Sequence, residues 1–261
     1  NGISGIEKSF DKNLKDGRGN LMLTLDKDLQ FIIRNELLNA QKIFNNIGGA
    51  GILMNINNGE ILSLVSVPDF NLNNREDISN VNYINRATKG VYELGSVFKS
   101  FTIAAGLNYD LISPKDMFLN LEKKMKCGGR TISEYDENLP KDLSVEDILV
   151  YSSNIGSVKI GQIIGQEKLK QFLETIGILN QLSFDIEETG KPIPFKWREC
   201  KLKTVSYGHG ITTTPIQLAK GYAILANGGY DINPTLIKKK SDNIIKKRIL
   251  NKNLSSQIIP I

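Results

Sequence analysis

Apolar residues recur at helical spacing over 27–44, where Leu29, Ile33, Leu37 and Phe44 fall on one side behind Asp26, a good N-cap, so the pattern predicts a first long helix. Two strand-like runs follow at 51–56 and 60–65. Asn57-Asn58-Gly59 joins them, and these residue types tolerate the positive φ angles of a tight hairpin turn. The segment 71–84 is rich in Asn and Asp and reads as a polar loop, and 108–143 reads as irregular, glycine-containing loops. Between them an apolar, alanine-containing run from Phe101 to Leu107 predicts a packed helix. Ser144-Val145-Glu146-Asp147 has the form of a capping box and starts another. The stretch 166–176 is amphipathic and stops at Gly177, a suitable C′ residue. Thr214-Pro215 caps and opens a helix that runs to Ala226 before Asn227-Gly228-Gly229. Helices and a hairpin interleaved in this way predict an α/β layer arrangement.

Composition narrows this little. At 261 residues with 40% hydrophobic and 23% charged, the chain can bury a substantial core and is not of disordered composition. It has no apolar run long enough to span a bilayer and no signal-like segment. The net charge of +5 raises the question of nucleic acid, but the basic residues are scattered. The one cluster, Lys238-Lys239-Lys240 through Lys246-Lys247-Arg248, has no interleaved aromatics and reads as a solvated segment. Cys127 and Cys200 are far apart, without CxxC spacing, which argues against a metal site; two partly buried thiols are the expected state, with a disulfide permitted in an oxidising compartment. No cofactor is expected.

Candidate chemistry centres on Tyr92-Glu93-Leu94-Gly95-Ser96-Val97-Phe98-Lys99. A glycine followed by serine at the start of a helix puts Ser96 where backbone N–H groups lack intrahelical acceptors. Lys99 lies most of one turn on, so its amine returns to the face carrying the Ser96 hydroxyl. A lysine desolvated under a packed helix can take a serine proton as a neutral amine. A Ser-x-x-Lys pattern alone arises often by chance, but Tyr151-Ser152-Ser153-Asn154-Ile155-Gly156 adds a Ser-x-Asn element on a short connection. There Ser152 could relay a proton and Asn154 could hold a substrate amide. His209, the single histidine, lies between two glycines without an obvious acidic partner and reads as a loop residue near the cleft.

These motifs resemble those of the transpeptidase domain of class B penicillin-binding proteins, most of all the division-type peptidoglycan D,D-transpeptidases. The resemblance extends to Gly5-Ile6-Glu7-Lys8-Ser9-Phe10-Asp11, Leu23-Thr24-Leu25-Asp26, Asn58-Gly59-Glu60-Ile61-Leu62-Ser63, Ser66-Val67-Pro68-Asp69-Phe70 and Asn85-Arg86-Ala87. Ser206-Tyr207-Gly208-His209-Gly210 and Thr214-Pro215-Ile216-Gln217-Leu218-Ala219 continue it. Leu94 stands where the family usually has proline, and Glu93 resembles the acid that fixes the nucleophile turn. The resemblance implies the family fold, shared with serine β-lactamases: an antiparallel sheet flanked by helices, with a helical subdomain. It implies Ser96 as nucleophile, Lys99 as base, Ser152 as relay and Asn154 as substrate-amide holder, acting on stem peptides and trapped by β-lactams. It further implies a periplasmic site, a membrane anchor before Asn1, and division-complex partners including a glycan polymerase.

One family element has no match. Lys203-Thr204 continues with Val205 and Lys240-Ser241 with Asp242, so neither forms the Lys-Thr/Ser-Gly strand that lines the far side of such clefts. The expected organisation is therefore a junction over 1–20 and a transpeptidase domain over 21–261, incomplete at its C-terminal end. The resemblance draws one oxyanion donor from that strand; losing such a donor typically costs about 2.7–4 kcal/mol. The competing readings are a non-catalytic docking module, an elongation-type class B relative, and a serine β-lactamase or β-lactam sensor.

Overall fold

The computed structural model describes residues 2, 4–16, 20–70, 84–238 and 247–261. Most of the predicted polar loop 71–84 and the interior of the basic cluster lie outside them. The chain opens with two short helices, α1 (Gly5–Ser9) and α2 (Asp11–Lys15), neither of which buries a residue. Next comes α3 (Lys27–Phe44), capped as expected by Asp26, whose carboxylate accepts from the backbone of Asp28 and Leu29.

The antiparallel hairpin β1 (Gly49–Met54) and β2 (Ile61–Val67) follows, shifted by a residue or two from the sequence expectation. Gly59 at φ +78° makes its turn possible. Gly51 lets α3 lie close, since a Cβ there would come within 2.5 Å of Ile33.

A two-residue strand β3 (Tyr92–Glu93) leads through a 3₁₀ turn, Gly95–Phe98, into α4 (Lys99–Asn108). Short strands then cross a region expected to be irregular: β4 (Met117–Phe118), the hairpin β5 (Lys124–Cys127) and β6 (Arg130–Ser133), and β7 (Leu143–Ser144). Gly128-Gly129 between β5 and β6 is a two-residue hairpin signal set among polar residues, which hid it. The helical subdomain comprises α5 (Val145–Val150), α6 (Asn154–Ile164), α7 (Gln166–Thr175) and α8 (Glu199–Val205). Strand β8 (Thr212–Thr213) pairs with β3, and α9 (Pro215–Ala226) and α10 (Leu254–Ile258) complete the chain.

The core is organised around α4, whose residues from Phe101 to Leu107 are all buried. A helix apolar on every side belongs at the centre of its neighbours. Helices α5, α6, α7 and α10 pack directly on it. Gly106 and Gly156 admit the Ile112 and Ile148 side chains respectively, and a Cβ on Gly161 would strike the Ser206 hydroxyl.

The expectation of two free thiols is wrong: Cys127 at the end of β5 and Cys200 in α8 form a disulfide, with Cα atoms 5.3 Å apart. Their separation of 73 residues gave no sequence cue, and only the packing of the hairpin against α8 brings them within bridging distance. Among the described residues no helix is long and apolar enough to cross a membrane, and no cluster of three or more His, Cys, Asp or Glu side chains could hold a metal ion.

Candidate active site

Two loops meet to form the turn that carries Ser96. The backbone N–H of Gly95 donates to the Gly208 carbonyl at 3.2 Å, beside the β3–β8 pair. Gly208 must be glycine here, because a Cβ would lie 1.9 Å from the Gly95 oxygen and its φ is +86°. Ser96 sits in the 3₁₀ turn, and the step into α4 carries Lys99 back beneath it. The Lys99 ammonium lies 3.1 Å from Ser96 Oγ, and the lysine is only 1% exposed. Thr102, one turn further, donates to the Ser206 carbonyl at 2.8 Å and fastens α4 to the loop that carries Gly208.

From the other side, α5 delivers Ser152. Its capping box is complete: Ser144 Oγ accepts from Asp147 N, while the Asp147 carboxylate accepts from Ser144 N. After α5 the backbone reverses, with Ser152 in the left-handed region at φ +56°. A non-glycine residue there is unfavourable, and the reversal is held by Ser153 N donating to the Ile148 carbonyl at 2.9 Å. The consequence is that Ser152 turns both its carbonyl and its hydroxyl to Lys99, at 2.6 and 2.8 Å.

The next helix, α6, starts at Asn154, with Ser153 as N-cap accepting from Gly156 N. Asn154 Nδ2 donates to the Ser133 carbonyl at 2.9 Å, so its Oδ1 is the atom left to accept a substrate N–H. Beside it the Glu134 carboxylate, just past β6, is 8% exposed. It accepts from Ser153 Oγ at 2.6 Å, Asn154 N at 2.6 Å and Ile155 N at 3.0 Å.

Electrostatics follow from this packing. Burial pulls the Lys99 amine down from its ordinary value to about 8, against the opposing pull of the Glu134 negative charge. The amine has three acceptors around it, Ser96 Oγ, Ser152 O and Ser152 Oγ, which match the three donors of an ammonium.

Ser96, Ser152 and Asn154 open onto one cleft of about 550 Å³, of the size that takes a small ligand. Tyr135 and Tyr151 form part of its wall. Tyr207 and His209 stack with their planes 5° apart at another part of the lining, and His209 Nδ1 lies 3.2 Å from the Glu93 carboxylate. The histidine therefore does have an acidic partner, supplied by the β3–β8 pairing and not by its neighbours in sequence. Glu93 is half exposed and faces this ring; burial, and to a lesser degree the Glu93 charge, push the Tyr207 phenol up in pKa.

All four residues singled out from the sequence are thus brought together. Glu134 and Ser133 were missed, because the hairpin that carries them was read as a loop. Lys203-Thr204, already discounted as the third family element, lies in helix α8 and not on a strand. Lys240-Ser241 falls outside the described residues.

A serine at the start of a central helix, joined through a buried lysine to a second serine and an asparagine, defines the class of acyl-serine proteins built on a Ser-x-x-Lys motif. The model of the penicillin-binding protein transpeptidase domain matches residues 49–259, and the chain belongs to that family.

Among curated proteins, the chain is 29% identical to the "Probable peptidoglycan D,D-transpeptidase FtsI" of Caulobacter vibrioides over 100% of its own length and 45% of that protein's. It is 31% identical to the "Peptidoglycan D,D-transpeptidase FtsI" of Buchnera aphidicola subsp. Schizaphis graminum, over 99% of this chain and 50% of the relative. The chain thus spans about half the length of these relatives. Among solved structures, the transpeptidase domain of penicillin-binding protein 3 from Burkholderia pseudomallei superposes with a TM-score of 0.79 at 24% identity, over 90% of this chain and 67% of that one. Penicillin-binding protein 3 of the tubercle bacillus gives a TM-score of 0.82 at 20% identity, over 91% and 56%. These likenesses establish the penicillin-binding-protein transpeptidase fold.

Proposed function

We propose that this chain carries the acyl-transfer centre of a septal peptidoglycan D,D-transpeptidase. The observation that carries the reading is the placement of one buried amine, Lys99 Nζ, 3.1 Å from Ser96 Oγ and 2.8 Å from Ser152 Oγ. As a neutral amine Lys99 has two N–H donors and one lone pair. It can keep its bonds to the Ser152 carbonyl and hydroxyl while its lone pair receives the Ser96 proton.

Ser96 Oγ then attacks the carbonyl carbon of the penultimate D-alanine of a stem peptide. The bond to the terminal D-alanine breaks, and its nitrogen leaves with a proton relayed from Lys99 through Ser152. Asn154 Oδ1 accepts an N–H of the donor peptide. An amine on a neighbouring strand next attacks the acyl-enzyme, forms the cross-link and returns the proton to Ser96. β-Lactams, whose strained amide presents the same carbonyl, acylate Ser96 and remain bound.

The similarity to FtsI-type relatives supports the division-type reading over the elongation-type one, and with it a periplasmic location and division-complex membrane proteins as partners. Residues 1–20, whose short helices bury nothing, read as a junction, and 21–261 as the transpeptidase unit.

The test is the intact mass of the protein after incubation with benzylpenicillin, with Ser96→Ala as control. One stable adduct that disappears in the control is expected. Adduct persisting in Ser96→Ala would show that Ser96 is not the nucleophile, and none on the unsubstituted chain would move the chain to the docking-module reading.

A further inference from the structure

The sequence motifs leave unexplained what holds Ser152 and Asn154 in place. Ser152 occupies an unfavourable left-handed conformation, and Asn154 is the first residue of α6, where backbone N–H groups lack intrahelical acceptors. Glu134 answers both needs from outside the motif. Its Oε2 takes Asn154 N, and its Oε1 takes both Ile155 N and Ser153 Oγ, so the one carboxylate clamps three consecutive residues directly after Ser152. The preceding residue, Ser133, takes the Asn154 side-chain amide through its carbonyl. A buried carboxylate at a helix N-terminus is well matched to that end's partial positive charge.

We propose that Glu134 is the positioning residue of this site, a charged clamp that fixes the Ser152–Asn154 turn against α6 and keeps a negative charge within reach of Lys99. The inference rests on the acyl-transfer reading above.

The electrostatic half has a clear sign. Among the described residues, Glu134 is the charged group acting on Lys99, opposing the effect of burial. The other groups facing Lys99 are the neutral hydroxyls of Ser96 and Ser152. Lys123, whose carbonyl accepts from Glu134 N, turns its ammonium to the Leu139 carbonyl. At the other lining of the cleft, Glu93 acts on His209, Lys201 and Tyr207. Neutralising Glu134 therefore lets the Lys99 pKa fall further, and the neutral amine forms at lower pH.

The experiment measures the rate of benzylpenicillin acylation by intact mass between pH 5 and 9 for the unsubstituted protein, Glu134→Gln and Glu134→Asp, with folding checked by circular dichroism. Glu134→Gln is expected to acylate about ten- to a hundred-fold more slowly at its plateau, since it gives up hydrogen bonds to a charged acceptor. The rising limb of its profile should move to lower pH. Glu134→Asp, which keeps the charge on a shorter stem, should lose rate while its limb stays in place.

A folded Glu134→Gln that acylates at the unsubstituted rate overturns the proposal. In Glu134→Gln a uniform loss with an unmoved limb also overturns it, because removing the charge must move the limb. Should Glu134→Gln unfold, Glu134→Asp decides: an unsubstituted rate there overturns the proposal, and slowing with an unmoved limb supports it. Absence of adduct on the unsubstituted chain removes the acyl-transfer reading and this proposal with it, whereas normal acylation there and in Glu134→Gln removes this proposal only.

Discussion

At the scale of single residues, the site turns on how Lys99 is buried. An exposed lysine at pH 7 is neutral about once in several thousand molecules; with its pKa at about 8, roughly one in ten is neutral. Burial alone does this, and Glu134 limits how far it goes. If neutral Lys99 is the base, acylation by benzylpenicillin should rise about ten-fold per pH unit from pH 6 and level off near pH 8. Stopped-time intact-mass measurements across that range check it. A flat profile would mean that another group takes the Ser96 proton. That Lys99 sits three residues after Ser96 was legible from helix geometry; that its other partners are the carbonyl and hydroxyl of Ser152 was not, because the turn that presents both depends on a positive φ at a serine.

At the scale of elements, the β5–β6 hairpin does more than its length suggests. Its end carries Ser133 and Glu134 to the start of α6, and its turn is tied to α8 by the Cys127–Cys200 disulfide. A bridge closing a loop of 73 residues restricts the unfolded chain considerably. The double substitution Cys127→Ser with Cys200→Ser should lower unfolding free energy by about 2–4 kcal/mol. Urea titration of the two proteins under non-reducing conditions measures this, and equal midpoints would show that the hairpin is held by packing alone. Helix–helix contact is a second element-level constraint. Gly161→Ala places a Cβ against the Ser206 hydroxyl where α6 crosses α8, and should cost about 1–3 kcal/mol in the same titration. The capped helices were the readable elements, since Asp26, Ser144 and Thr214 announce their own starts through local hydrogen bonds. The short strands were not, because two to four residues carry too little periodicity.

For the whole molecule, the buried helix α4 is the centre of the core and carries Lys99, with Ser96 in the turn that leads into it, so stability and the geometry of the site share one support. Phe101 shows the coupling. It is fully buried, meets Phe98 edge-on at 5.7 Å and Tyr222 at 5.0 Å, and needs Gly221 to leave it room. Phe101→Ala should destabilise the fold by about 3–5 kcal/mol, read from the denaturant midpoint. A much smaller change would show that the core collapses around the site or that α4 is less central than its burial implies.

By itself the sequence determined the class of fold, the main capped helices and the β1–β2 hairpin, and it pointed to Ser96, Lys99, Ser152 and Asn154, which the fold brings to one place. The capped helices, the hairpin and each short motif are written in residues a few positions apart, where backbone geometry relates them, and the resemblance that the motifs carry joined them into one fold and site. Only the tertiary structure decided that Cys127 meets Cys200, that His209 meets Glu93, that Gly208 must lie on the Gly95 carbonyl, and that Glu134 closes over the Ser152–Asn154 turn. Those pairs are separated by about twenty to more than a hundred residues, and no local pattern specifies them. They exist because a helix buried on every side draws its neighbours to within contact, and with them the loops that they carry.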